Sequence, residues 1–201
     1  MSDDLSSQSL SSQRDFQIVC RVINGDVNAF ESLLVKYKDP IFNLVMKHIP
    51  YNEVEEVTHD VFVRAYQSLP TFKHKSSFKQ WLCAIAVRTC CDFWRREYRI
   101  QELPMSALSD KDQEWLKKVI SDQSNQAISQ ENSQKEAREL LNWALDRFSP
   151  EDRMVVELVY LEGLSVKEAA HLLGWSSANV KIRSFRSRKK LRKLLTGLIP
   201  E

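Results

Sequence analysis

The chain has 201 residues, enough for one domain or two small ones, and its 28% charged and 43% hydrophobic composition is that of a globular protein able to bury a core. No stretch reaches the apolar length of a membrane span and the N-terminus MSDDLSSQSLSSQRD lacks the apolar run of a secretion signal, which argues against membrane insertion and export and predicts a cytoplasmic protein. The four glycines, Gly25, Gly163, Gly174 and Gly197, cannot assemble a phosphate-cradling loop, and the formal net charge of +2 conceals a strongly basic final fifth of the chain.

Residues 1–14 are rich in Ser, Gln and Asp and poor in apolar side chains, so a disordered tail is expected there. From Phe16 to Trp94 apolar residues recur at helical spacing, with turns at Asn24-Gly25-Asp26, Asp39-Pro40, Pro50-Tyr51-Asn52 and Pro70-Thr71. This predicts a helical domain over 15–100. Asp26 is expected to cap a helix that buries Phe30, Leu33, Leu34 and Tyr37, and Pro40 to open the next, with Ile41, Leu44, Val45 and Ile49 inward.

Along Glu53–Leu69, Val54, Val57, Val61, Phe62, Ala65 and Tyr66 form an apolar arc, while Glu53, Glu56, Asp60, Arg64 and Gln67 lie opposite with Val63 among them. Taken alone, such a charged face usually means a solvated surface. Phe72-Lys73-His74-Lys75-Ser76-Ser77 then forms a basic loop edged by an aromatic residue. The helix from Phe78 to Arg96 is apolar around most of its circumference but carries Trp81, Arg88 and Arg95 as one stripe. Cations interleaved with aromatic rings make a stacking platform and phosphate track for unpaired bases.

Residues 101–132 lose the periodicity and gain Ser, Gln, Asp and Asn, the composition of a flexible linker. Helical spacing resumes over 133–201, beginning with Ala137, Leu140, Leu141, Ala144, Leu145 and Phe148. Ser149-Pro150-Glu151-Asp152 has the hydroxyl, proline and acids of a helix start. Ser165-Val166-Lys167-Glu168 is a capping box opening a short helix that stops at Gly174, and Ser176 or Ser177 caps the helix after it. This is a helix-turn-helix arrangement. On the last helix Ser184, Ser187, Leu191, Leu194 and Leu195 share a face with Val180, whereas Lys181, Arg183, Arg186, Arg188, Lys189, Lys190, Arg192 and Lys193 occupy the remainder. No acid falls between Lys181 and Pro200. Unpaired cations at this density repel one another unless a polyanion neutralises them, which makes duplex DNA the expected partner. Ser177, Asn179 and Lys181 would face base edges and Arg186 and Arg188 would hold phosphates. The expected fold is therefore all-α: two small helical domains on a flexible linker, the second containing the helix-turn-helix.

Cys20, Cys83, Cys90 and Cys91 show no zinc-finger or dithiol spacing and read as small hydrophobes, although Cys83, Cys90 and Cys91 with His74 form the one set suited to sensing metal or oxidant. His48, His59, His74 and His171 lie far apart in sequence, with no paired nucleophile and base, so no enzyme activity, metal or cofactor is expected. A stand-alone helix-turn-helix regulator would give Glu53–Arg96 no purpose and would need a dimerisation heptad that the sequence does not show.

Two blocks carry a family resemblance. Tyr51-NEVEEVTHDVFVRAYQSLPTF-Lys73, followed by SSFKQWLCAIAVRTCCDFWRR, resembles region two of the sigma-70 family in its extracytoplasmic-function subfamily, and SPEDRMVVELVYLEGLSVKEAAHLLGW with VKIRSFRSRKKL resembles region four. The resemblance implies a factor that binds core RNA polymerase through its beta-prime and beta subunits and directs it to promoter DNA. Glu53, Glu56, Val57, Asp60, Val63, Arg64 and Gln67 would dock on the polymerase clamp. Phe72, Lys73, His74, Lys75, Ser76, Ser77, Trp81, Arg88, Arg95 and Arg96 would hold a melted minus-ten strand with a flipped base. Ser176, Ser177, Asn179, Lys181, Ile182, Arg183, Phe185, Arg186 and Arg188 would serve the minus-thirty-five duplex, and the linker would thread the active-site cleft and RNA exit path. An anti-sigma factor is the implied regulator. The sequence departs from the family at Arg88, usually Asn, at Ala84, commonly Arg, and at Ala178-Asn179, frequently Gly-Thr. Ile182 and Phe185 put apolar bulk outward, for thymine methyls or for an inhibitory partner.

Overall fold

The computed structural model describes residues 2–100 and 139–196, and every regular element among them is helical. The expected linker over 101–132 lies outside the described residues, as do the first residues of the expected second domain. The chain divides into two compact units, Met1–Phe93 with His171–Trp175, and Trp94–Ala170 with Ser176–Glu201.

In the first unit, α1 (Ser2–Ile23) takes in residues 2–14 of the expected tail. What corrects that expectation is tertiary: Asp15, 2% exposed, accepts hydrogen bonds from the Tyr37 hydroxyl and from Lys36 Nζ, both at 2.5 Å, and Ser11 Oγ accepts from the same lysine at 2.9 Å. Burial, with the Asp15 carboxylate beside it, pushes the Tyr37 phenol well above its ordinary range. After Gly25, whose φ of +103° turns the chain, Asp26 holds Arg21 at 2.6 Å and makes no side-chain cap. The helix α2 (Phe30–Val45) then runs through Pro40 instead of restarting there. Proline forfeits one backbone bond. Leu33, Tyr37, Ile41 and Val45 lie four apart and are all buried, so one continuous packed face outweighs that loss. Leu34, expected inside, is 37% exposed.

Helix α3 (Val54–Ser68) buries Val54, Val57, Val61, Phe62 and Ala65 as the pattern predicts, whereas Tyr66, expected on the same arc, is 39% exposed with its ring 5.2 Å from that of Phe30. A short tight turn at Leu69–Thr71 leads through the basic loop to α4 (Phe78–Ile100). Ser77 and Gln80 cap α4 reciprocally: Gln80 N–H donates to Ser77 Oγ and Ser77 N–H to Gln80 Oε1, each at 3.2 Å. Cys90 and Cys91 are buried, and burial pushes the half-buried Cys83 thiol up, which keeps that sulfur a small hydrophobe. Among the described residues no cluster of His, Cys, Asp and Glu could hold a metal ion.

In the second unit, residues 139–145 are helical and Ser149 caps α5 (Pro150–Val156), its Oγ accepting from Asp152 N–H at 3.3 Å. The helix continues over Glu157–Leu161 as a wider π turn, with Glu162 N–H reaching Glu157 O at 2.9 Å. Leu145, Phe148 and Val156 form the core with Leu141, Leu191 and Leu194 against them.

The capping box is present at α6 (Val166–Leu173): Ser165 N–H donates to Glu168 Oε2 at 2.9 Å and Glu168 N–H to Ser165 Oγ at 3.3 Å. Bonds from the Ser165 side chain and backbone hold the Glu168 carboxyl below its usual range. A depressed carboxylate contributes above its unfolded pKa and loses that contribution as pH falls through the folded one. Glu168→Gln is therefore expected to remove the acid-side fraying of α6, read from hydrogen exchange at the Ser165 amide; an unchanged pH profile would refute the cap. Gly174, at φ +73°, ends α6, and Ser176 Oγ accepts from Asn179 N–H at 3.2 Å to start α7 (Ser177–Thr196).

Candidate nucleic-acid interface

The two faces of α7 separate by burial. Val180, Ser184 and Ser187 are buried, at 0%, 7% and 2% exposure, whereas Ser177, Asn179, Lys181, Arg186 and Arg188 are exposed. Tyr160, carried by the π turn, hydrogen-bonds Ser184 Oγ at 2.7 Å and donates to Ser184 O at 3.1 Å, pinning the middle of α7. The cations are not equivalent. Arg183 is half-buried, donating to Asp152 Oδ1 at 2.6 Å and to Asn179 Oδ1 at 3.1 Å, so it braces α7 on α5. Lys190 donates to the Arg147 carbonyl and sits 5.0 Å over the Phe148 ring, and burial pushes its pKa down. A helical wheel groups both with the solvent-facing cations, because it places residues by angle and cannot register a long side chain folding back.

Asp152, Asn179, Ile182, Arg183 and Arg186 line a groove of about 440 Å³. Ile182 and Phe185 project beside these groups, 52% and 64% exposed. Ser176 is exposed, but its hydroxyl is engaged as the cap. This outer surface offers dispersed positive charge, a polar helix start and two apolar contacts, the combination that meets a duplex major groove.

On α3, Glu56, Val63 and Gln67 are exposed and Asp60 half-exposed on the side away from the core, and Glu53, just before the helix, is half-exposed. Arg64 lies between Asp60 at 3.5 Å and Asp92 at 2.6 Å. Val57 is 2% exposed and belongs to the core, which corrects its assignment to the docking face. In the loop, Lys73, His74 and Lys75 are exposed and Ser76 and Ser77 partly so. Phe72 is 8% exposed and turned inward, with its ring centroid 5.2 Å from Trp81 and 5.8 Å from Phe78; it supports the loop from beneath and offers no stacking face of its own. Trp81 is half-exposed on that support, while along α4 Arg88 and Arg96 are exposed and Arg95 half-exposed.

A helix-turn-helix with a cationic outer face, on the same chain as a helical unit bearing a basic aromatic loop, defines a nucleic-acid-binding protein of two-part, all-helical type. The Sigma-70 region 2 profile matches residues 33–100 and the Sigma-70 region 4 profile residues 138–191. The ECF RNA polymerase sigma-E factor of Escherichia coli (strain K12) is 30% identical over 190 residues, covering 92% of this chain and 96% of its own. The RNA polymerase sigma-H factor of Pseudomonas aeruginosa is 26% identical, covering 96% and 99%. A solved structure of CnrH in complex with the cytosolic domain of CnrY shares the fold, with a TM-score of 0.52, 23% identity and coverage of 90% and 96%. The chain belongs to the extracytoplasmic-function (ECF) subfamily of the sigma-70 family of RNA polymerase sigma factors, transcription initiation factors that bind RNA polymerase and recognise promoters. Among the described residues no helix is long and apolar enough to cross a membrane.

Proposed function

We propose that this sigma factor divides its work among three surfaces. Glu53, Glu56, Asp60, Val63, Arg64 and Gln67 dock on core polymerase. The loop Phe72–Ser77 with Trp81, Arg88, Arg95 and Arg96 holds the melted minus-ten strand, with Phe72 and the Ser77 cap acting as supports. Ser177, Asn179, Lys181, Arg186 and Arg188 on α7 meet the minus-thirty-five duplex. The observation that carries the reading is the segregation on α7, where small and apolar residues face inward and an acid-free cationic row faces out. A row of that kind gains affinity by releasing counterions from phosphates. Two binding units on one chain also raise each other's effective concentration at a promoter.

The protein supplies binding energy and no chemical step, and its work falls in the cytoplasm. Exposed Ile182 and Phe185 also fit an anti-sigma partner, which would compete with the duplex for α7. Reconstitution tests the whole: purified protein with bacterial core polymerase starts RNA at a defined site on its cognate promoter, and failure on every candidate promoter refutes it. Arg186→Ala is expected to weaken duplex binding and flatten its salt dependence by about one unit of slope. Asp60→Ala is expected to spare that binding and impair polymerase capture. Equal effects of both variants in both assays would overturn the division of labour.

A further inference from the structure

Among the described residues His74 is the only one other than glycine with a positive φ, at +52°. A residue with a Cβ occupies that region sparsely and remains there where its surroundings hold it. The hold comes from α1. The Phe16 ring meets the His74 imidazole edge to face, centroids 4.2 Å apart and planes at 89°, while Phe72 supports the same imidazole from 6.0 Å. Helix α1 is fixed in rotation one residue away, where Asp15 is buried against Tyr37 and Lys36. His74 itself is exposed, so its backbone conformation adds no burial to the fold. Strain of this kind, flanked by the exposed cations Lys73 and Lys75, belongs to a loop shaped in advance for a ligand.

We propose that Phe16 is a positioning residue for promoter reading: by holding His74 in the left-handed conformation it pre-shapes the loop Phe72–Ser77 to receive a base of the unpaired strand. Helix α1, which lies before the segment matched by the region 2 profile, is thereby part of the DNA-reading apparatus. The proposal rests on the reading of that loop as the minus-ten contact.

The test uses the full chain and a pool of randomised short single-stranded oligodeoxynucleotides, enriched by selection on the wild-type protein. Phe16→Ala is expected to bind the selected strand about fivefold more weakly, the worth of one aromatic pair, and Phe16→Tyr to stay within about twofold. Duplex binding by α7 is expected to be unchanged in both. His74→Gly and His74→Ala both remove the imidazole, but glycine enters the left-handed region freely, so the glycine variant is expected to bind the strand more tightly than the alanine variant. Wild-type strand binding by Phe16→Ala, or equal binding by the two His74 variants, overturns the proposal. The double variant Lys73→Ala/Lys75→Ala separates the two ideas: if it binds the strand as wild type, the loop reading fails; if it loses binding while Phe16→Ala keeps it, only the role of Phe16 fails. Should Phe16→Ala not fold, the His74 pair decides, because that side chain is exposed and its replacement removes no core.

Discussion

Asp15→Ala is expected to destabilise the protein by about 2–3 kcal/mol, the largest effect of any polar substitution near the N-terminus, and to lower its thermal midpoint accordingly. The carboxylate is 2% exposed and accepts from two donors, one of them the Tyr37 hydroxyl, which is buried with it. Removing the acceptor leaves that hydroxyl desolvated, and a buried unmade hydrogen bond costs more than a made one gains. The double variant Asp15→Ala/Tyr37→Phe is therefore expected to recover part of the loss, as removal of both partners leaves no orphan. A single variant that melts with the wild type would show that α1 does not depend on this contact. A double variant no better than the single would assign the loss to Lys36 or to packing instead.

The second large effect is expected at Leu158→Ala, about 2–5 kcal/mol, with loss of duplex binding at temperatures where the wild type still binds. Leu158 is fully buried inside the π turn that carries Tyr160, and shortening it opens a cavity within that turn. Leu161→Ala is the control, since that side chain belongs to the same turn but is 51% exposed, and it is expected to stay within about 0.5 kcal/mol of wild type. Similar losses at both positions, measured by denaturant unfolding, would place the sensitivity in the backbone of the turn and not in the packing of Leu158.

What could be read from the amino-acid order was whatever depends on neighbours a few positions away. Caps at Ser149 and Ser165, the inward arc of α3 and the two faces of α7 all rest on spacings of three or four residues, and all are present. The misses share a different cause. Helix α1 begins at Ser2 in a stretch of poor apolar content, and what anchors it is Asp15 meeting residues 21 and 22 positions further along. Pro40 has a strong local meaning that a continuous buried face overrides. Phe72, Arg183 and Lys190 are by chemical type an aromatic and cations suited to nucleic acid, whereas their three-dimensional neighbours turn each of them to support. The left-handed backbone at His74 has no clear signature in the sequence, because glycine is the residue that conformation favours most and histidine far more often sits at negative φ.

The widened turn at Glu157–Leu161 also restricts how this protein can be recombined with others of its kind. The wider turn closes the helix at Leu161 and sets the side chains it carries at angles that a regular helix would not give them. Tyr160 lies inside that turn and meets Ser184 from it. A hybrid joined inside that segment to a partner with a regular helix would inherit a mis-phased tyrosine, so exchange of the C-terminal reader between homologues has to be spliced upstream of Glu157, carrying the irregularity along with the surface it aligns.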